Sequence, residues 1–460
     1  MLKKYVGDRG FYRTVMAVAL PIMLQNGITN FVSMLDNIMI GALGTVQMNG
    51  AAIANQLIFI FNLCIFGAVS GAGIFGAQFF GKKDWDSIRY TFRFKYLLCG
   101  LLAILAVVIF LLCSAPLLSL YIEAGEDPLI RAQTLSFGQN YLFVMLIGLV
   151  PYALTQAFSS SLRESGETML PMQAGVTAVC VNLALNWVLI FGQFGMPALG
   201  VVGAAIATVI SRFVELLIVV IWTYRHREQF PFIKRAFASL HIPFKLMGRI
   251  AAKGFPLMCN ETIWALGIAT LAQCYATRGL AAVAGYNIAQ TFLNLFSVCF
   301  QAIGSAIGII LGQLLGAEDF KEVKNQYPKL LAFAVFIGGC VGVVFFSLAE
   351  VIPLLYNTTP QVRDIAAQLI RLLAITCPIN AYAFSAYFTV RTGGKIFTTI
   401  AIDCGFTWLV AVPVAFLLSR FTDLSVLFLL GSYEAEQFVK CFMFAWVVKR
   451  GKWIRNIVSE

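Results

Sequence analysis

Apolar runs of about 20 residues recur from one end of the sequence to the other, and each matches the helix length needed to cross a hydrocarbon core of roughly 30 Å. Backbone N–H and C=O groups in lipid must be satisfied internally, so such runs fold as helices or as strands of a closed barrel. Here the runs are long and continuously apolar rather than short and alternating, which excludes the barrel. About twelve spans are read, at 12–40, 47–72, 93–118, 133–160, 168–192, 198–222, 252–276, 283–312, 329–349, 364–390, 396–418 and 424–448. The composition agrees: 60% of residues are hydrophobic and 12% charged, whereas soluble domains carry about one quarter charged residues. The sequence therefore predicts an all-α, multi-pass membrane protein. The first apolar run is too long for a signal peptide and lacks a small-residue cleavage pattern, so it is expected to stay.

A net charge of +11 could suit a nucleic-acid partner. The basic residues, however, alternate between the two sides as the positive-inside rule places them. One side collects Lys3 and Lys4, Lys82 to Lys95, the segment Arg225 to Lys253, Lys321 to Lys329, and Lys449 to Arg455; the other keeps only Arg131, Arg278, Arg363, Arg371 and Arg420. This predicts an inner-membrane protein with both termini cytoplasmic and no nucleic-acid partner. The eleven cysteines fall almost wholly inside the spans without metal-ligand spacing, so they read as small packing residues.

Residues 21–84 align without a gap against 256–319. Identical pairs include Pro21 with Pro256, Gly44 with Gly279, Gly50 with Gly285, Gln78 with Gln313, Gly81 with Gly316 and Asp84 with Asp319. Apolar composition alone would not align Gly, Pro, Gln and Asp. The chain is thus expected to hold two pseudo-symmetric six-helix lobes, 1–222 and 252–460, joined by a basic cytoplasmic linker, 223–251, that lies partly on the anionic inner leaflet. Two similar lobes with a cleft between them suit alternating access, hence transport.

Polar residues inside the spans are the candidates for function. Asp36 is the sharpest, because an ionised carboxylate near a bilayer centre costs at least ~2.5 kcal/mol and normally serves protons, ions or substrate. Pro21 and Pro256 each interrupt a helix backbone hydrogen bond and are expected to bend the first and seventh spans. Asn182 and Asn186 sit at i and i+4 and share a helix face. Together with Thr208 and Asp36 they offer oxygens suited to a hard monovalent cation or a proton. The second lobe has Leu271 where the repeat would place Asp36. Its acidic residues Glu261, Asp403 and Glu434 could line the cleft and meet a cationic substrate, with pairing to Lys440 an alternative for Glu434. Gln56, Tyr286, Asn287 and Gln290 are further cleft-lining candidates, where flat aromatic compounds would find stacking surfaces. Arg212 and Glu215 are expected to pair structurally, and Arg163 and Arg391 to mark inner-face turns.

The order and spacing of "ALP", "DNIMIGALG", "GAQFFGKKD", "LRESGE", "LGVVGAAIAT", "GQLLGAED" and "RTGGK" resemble the multidrug and toxic compound extrusion (MATE) family of cation-coupled antiporters over nearly the whole chain. The resemblance implies two lobes that export organic, often cationic and aromatic, compounds against inward flow of Na⁺ or H⁺. It implies a cation site at Asp36, Asn182, Asn186 and Thr208, with Pro21 as the bending point. The sequence departs from many members by having Asn186 in place of Asp, which lowers the site's negative charge and keeps a proton carrier open. It also lacks the tenth-span acid that some relatives carry. Glu261 falls about one turn from the seventh-span Glu of some members.

Expected partners are small-molecule substrates and the bilayer, with a monomeric chain and no cofactor beyond the coupling ion. A flippase for lipid-linked precursors, or an exporter of one metabolite, is the alternative within transport. A non-transporting scaffold or receptor is a distant one. No catalytic constellation is visible, since the only histidines, His226 and His241, both lie in the linker.

Overall fold

The computed structural model describes residues 4–122 and 127–459, so Lys3 lies outside the described residues. Twelve long helical segments account for most of them. They are α1 (Arg9–Gly41), α2 (Thr45–Lys82), α3 (Trp85–Ser119), α4 (Pro128–Glu164), α5 (Met169–Phe191), α6 (Gly200–Arg225), α7 (Phe244–Ala276), α8 (Leu280–Gly316), α9 (Phe320–Ser347), α10 (Pro360–Thr392), α11 (Ile396–Phe421) and α12 (Val426–Arg450). No strand occurs among the described residues.

Eleven of the twelve are long and apolar enough to cross a membrane. The exception, α12, has sufficient length, but Glu434, Glu436 and Lys440 fall in its middle. Pro21 and Pro256 both lie inside continuous helices. Several helices run well past the expected spans: α2 reaches Lys82 and α7 begins at Phe244. The eleventh segment is not uniform. Ala401–Gly405 and Thr407–Ala411 are wound as wide π-turns between two α-helical stretches, a distortion that is rare and frequent at functional sites.

The chain packs into two compact units. One comprises Leu24–Gly76 and Asp84–Met258, the other Met1–Met23, Ala77–Lys83 and Cys259–Glu460. In the first, the core runs through Leu57, Phe61, Ile65, Leu142, Leu149, Ala204 and Ala205. In the second it runs through Leu271, Ile288, Phe345, Leu369, Ile370 and Leu373. Lipid is as apolar as these side chains, so helices associate through close packing over small residues. The duplicated pair Gly50 and Gly285 shows this in both units. A Cβ at Gly50 would stand 2.8 Å from Thr134 O on α4, and one at Gly285 2.6 Å from Ile365 Cγ2 on α10.

The linker is folded onto α3. Phe232 and Ile233 are buried, and Phe92 meets the rings of Phe232 and Phe237 at 5.6 and 5.9 Å. Arg93 binds three carbonyls there, those of Ala236 (2.6 Å), His241 (3.0 Å) and Arg235 (2.8 Å). An expected leaflet-lying segment is therefore in part a packed one, because a buried guanidinium needs its donors satisfied.

Candidate functional site

Asp36, on α1, is brought together with Asn182 and Asn186 of α5 and Thr208 of α6. Three local features produce this. Gly175 leaves room for Gln25, whose Nε2 would lie 2.7 Å from a Cβ there, and Arg163 Nη2 donates to Gln25 Oε1 at 2.7 Å. About three turns further along both helices Asp36 meets Asn186, so α1 and α5 run parallel in register. Gly203 then presses α6 onto α5, since a Cβ at that position would stand 2.5 Å from Leu189 O.

Asn186 Nδ2 donates to Asp36 Oδ1 at 2.6 Å, while Asn186 Oδ1 is buried without a partner among the described residues. The Asn182 amide satisfies its surroundings with its nitrogen toward the carboxylate: it donates to Asp36 Oδ1 and Oδ2 at 3.2 Å each, and its oxygen accepts from Thr208 Oγ1 at 3.2 Å. Asn182 and Asn186 are 6% and 1% exposed, so water does little to screen these bonds. Asp36 is in no ion pair among the described residues; the intramembrane pairs found are Lys95–Glu164, Arg391–Glu261 and Lys440–Asp403.

Those pairs change the expected picture of the second repeat. Glu261 Oε1 accepts from Tyr387 Oη at 3.3 Å and lies 3.9 Å from Arg391 Nη1. Arg391 is not only a turn marker: it is 3% exposed and stacks on Phe388, 5.2 Å from the ring centre. On the π-turns of α11, Asp403 and Thr407 receive Lys440 Nζ at 3.5 and 3.0 Å. Glu434 does not pair with Lys440. It accepts from Asn380 Nδ2 at 3.1 Å. Arg212 makes no ion pair with Glu215; it donates to Gly148 O at 3.2 Å and covers the Tyr152 ring at 4.9 Å.

Of the remaining candidates, Tyr286 packs against Tyr275 at 5.1 Å and Gln290 donates to Asn294 at 3.1 Å. Asn287 and Gln56 are exposed.

Sequence reasoning missed the pair Lys95–Glu164. Lys95 Nζ donates to Glu164 Oε1 and Oε2 at 2.6 and 2.5 Å and to Ser160 and Ser161 at 3.1 and 3.3 Å. Lys95 reads from the sequence as a loop charge. The signal that could have found it is its place at the head of "YLLCGLL", opposite the serine run that precedes Glu164.

An all-helical bundle of membrane-spanning length with a carboxylate and two asparagines meeting in its interior has the polar interior of membrane proteins that handle protons, ions or small solutes. The chain belongs to the MatE family, whose profile matches residues 21–188 and 258–417. Among curated relatives, "Probable multidrug resistance protein NorM" of Thermotoga maritima is 24% identical over 421 residues, covering 90% of this chain and 87% of that one. "Multidrug resistance protein MdtK" of Pectobacterium atrosepticum is 24% identical over 363 residues, covering 79% and 78%. Among solved structures, a MOP superfamily transporter from Pyrococcus furiosus matches with TM-score 0.87 at 17% identity, over 98% of each chain. An outward-facing multidrug resistance MATE family transporter matches with TM-score 0.86 at 17% identity, again over 98% of each.

Proposed function

We propose that the protein exports organic compounds across the cell membrane in exchange for an inward-moving cation, by alternating access of its two repeats. The observation that carries this reading is the Asp36 carboxylate, in no ion pair among the described residues and held by the amides of Asn182 and Asn186, with Asn186 Oδ1 buried and unpartnered beside it among the described residues. A proton or cation entering there would meet unsatisfied acceptors and rearrange the hydrogen bonds joining α1, α5 and α6. A ligand shifts a two-state equilibrium only by its differential affinity for the states, and this rearrangement supplies such a difference. Cargo that favours the opposite state is then released as the cation binds.

With Asn186 in place of a second carboxylate, the site carries a single negative charge, which favours H⁺ over Na⁺ as the coupling ion. Both termini are cytoplasmic in this reading, on the strength of the basic-residue asymmetry. The names of the relatives support organic, drug-like cargo. A cationic preference is not supported by Glu261 and Asp403, because each already faces a resident Arg or Lys. The test is dye efflux from proteoliposomes under imposed pH and Na⁺ gradients. Gradient-driven flux supports the reading, and no flux under either gradient overturns it.

A further inference from the structure

The duplication reappears as a reciprocal contact. A Cβ at Gly316 on α8 would collide with the backbone of Gln78 on α2, and one at Gly81 on α2 with the backbone of Gln313 on α8. Gln78 pairs with Gln313 and Gly81 with Gly316 in the repeat, so each copy presents its glutamine backbone to the glycine of the other, as in a two-fold contact. These glycines let the C-terminal ends of α2 and α8 cross at backbone distance.

The last residues of the chain break this symmetry. Gln78, fully buried, donates from Nε2 to Thr392 O at 3.0 Å and accepts at Oε1 from the backbone N–H of Ile457 at 2.9 Å. Asn456 Nδ2 donates to Gly316 O at 3.3 Å and to Glu318 Oε1 at 3.1 Å, and Ser459 Oγ donates to Glu318 Oε1 at 3.0 Å. Arg455 Nε donates to Gly393 O at 3.0 Å. Trp453 is fully buried, and its carbonyl occupies the space that a side chain at Gly393 would need. One short segment thus fastens the ends of α2, α8 and α10 together, and its bonds to Gln78 and Gly316 are buried, where an unmade hydrogen bond is costly.

We propose that residues 453–459 form a strap that holds the crossing of α2 and α8 closed, and that releases Gln78 in each cycle when that end of the molecule opens. The proposal rests on the alternating-access reading given above. A loop with so many side-chain-to-backbone bonds is a discrete two-state element, bound or released, and any ligand that favours the open state must offset its binding.

Two measurements test it. In a cysteine-free background, Lys82→Cys and Ser459→Cys are joined by a short, cleavable, thiol-reactive cross-linker, since Lys82 Nζ lies 3.5 Å from Ser459 Oγ. Joining them should cut gradient-driven efflux about tenfold or more, with recovery on cleavage; full flux through the joined protein overturns the strap. Should the unmodified protein show no gradient-driven flux, the transport reading fails separately. Hydrogen exchange then decides for the strap itself. Gln78→Ala should speed exchange at the Ile457 amide about tenfold, by removing its acceptor. Unchanged exchange there overturns the proposal.

Discussion

Asn186 holds Asp36 by a single 2.6 Å hydrogen bond while its own carbonyl oxygen stays buried and, among the described residues, unpartnered. An orphaned acceptor beside a carboxylate is a cost that a bound cation would remove. Asn186→Asp should therefore create a Na⁺ response. We expect Na⁺ affinity to rise by about tenfold, ~1.4 kcal/mol, read as Na⁺-dependent protection from thermal unfolding that the parent protein shows only weakly.

Breaking the buried pair Lys95–Glu164 by removing one member should strongly destabilise its unit. Glu164→Ala leaves a fully buried ammonium without its counter-charge, a loss of about 3–5 kcal/mol. Lys95→Met combined with Glu164→Leu should recover most of it, because both charges then leave together. Thermal unfolding in detergent of Glu164→Ala and of the double variant, against the parent, measures this.

Lys440 offers a test of cargo preference. Its ammonium sits on Asp403 and Thr407, so Lys440→Met should free a carboxylate and raise affinity for cationic dyes by about fivefold, ~1 kcal/mol. Competition between a cationic and a neutral dye in efflux reads the change, with the neutral dye unaffected.

The linker supplies a pH control. A hydrogen bond from Lys234 holds the Glu228 carboxyl below the usual carboxylate range. A depressed value means that the pair's small contribution is present above about pH 4 and lost as pH falls below it. Between about pH 6 and pH 8 it is constant, so Glu228→Gln should leave the pH profile of efflux unchanged over that window.

The helices and the duplication were legible because hydropathy and repeat identity are local properties. The grouping of Asp36 with Asn182 and Asn186 was half legible: the i, i+4 spacing fixes one face of α5, but only Gly175 and Gly203 place that face against α1 and α6. Charges near helix ends were the blind spot. Lys95, Arg93 and Arg391 read as solvent-side markers, yet all three are buried against acceptors from distant segments. Their partners lie far along the chain, and no short-range pattern announces them. The C-terminal segment likewise gave no signal in sequence, since its bonds are made by its backbone and short polar side chains rather than by a motif.

The central claim, that cation loading at Asp36 drives export, is tested most directly by Asp36→Asn in proteoliposomes with an imposed pH or Na⁺ gradient and a trapped dye. The account predicts that the variant folds and binds dye but loses gradient-driven efflux by about a hundredfold, within the range of measured allosteric couplings. Gradient-driven efflux at the parent rate in that variant would contradict it.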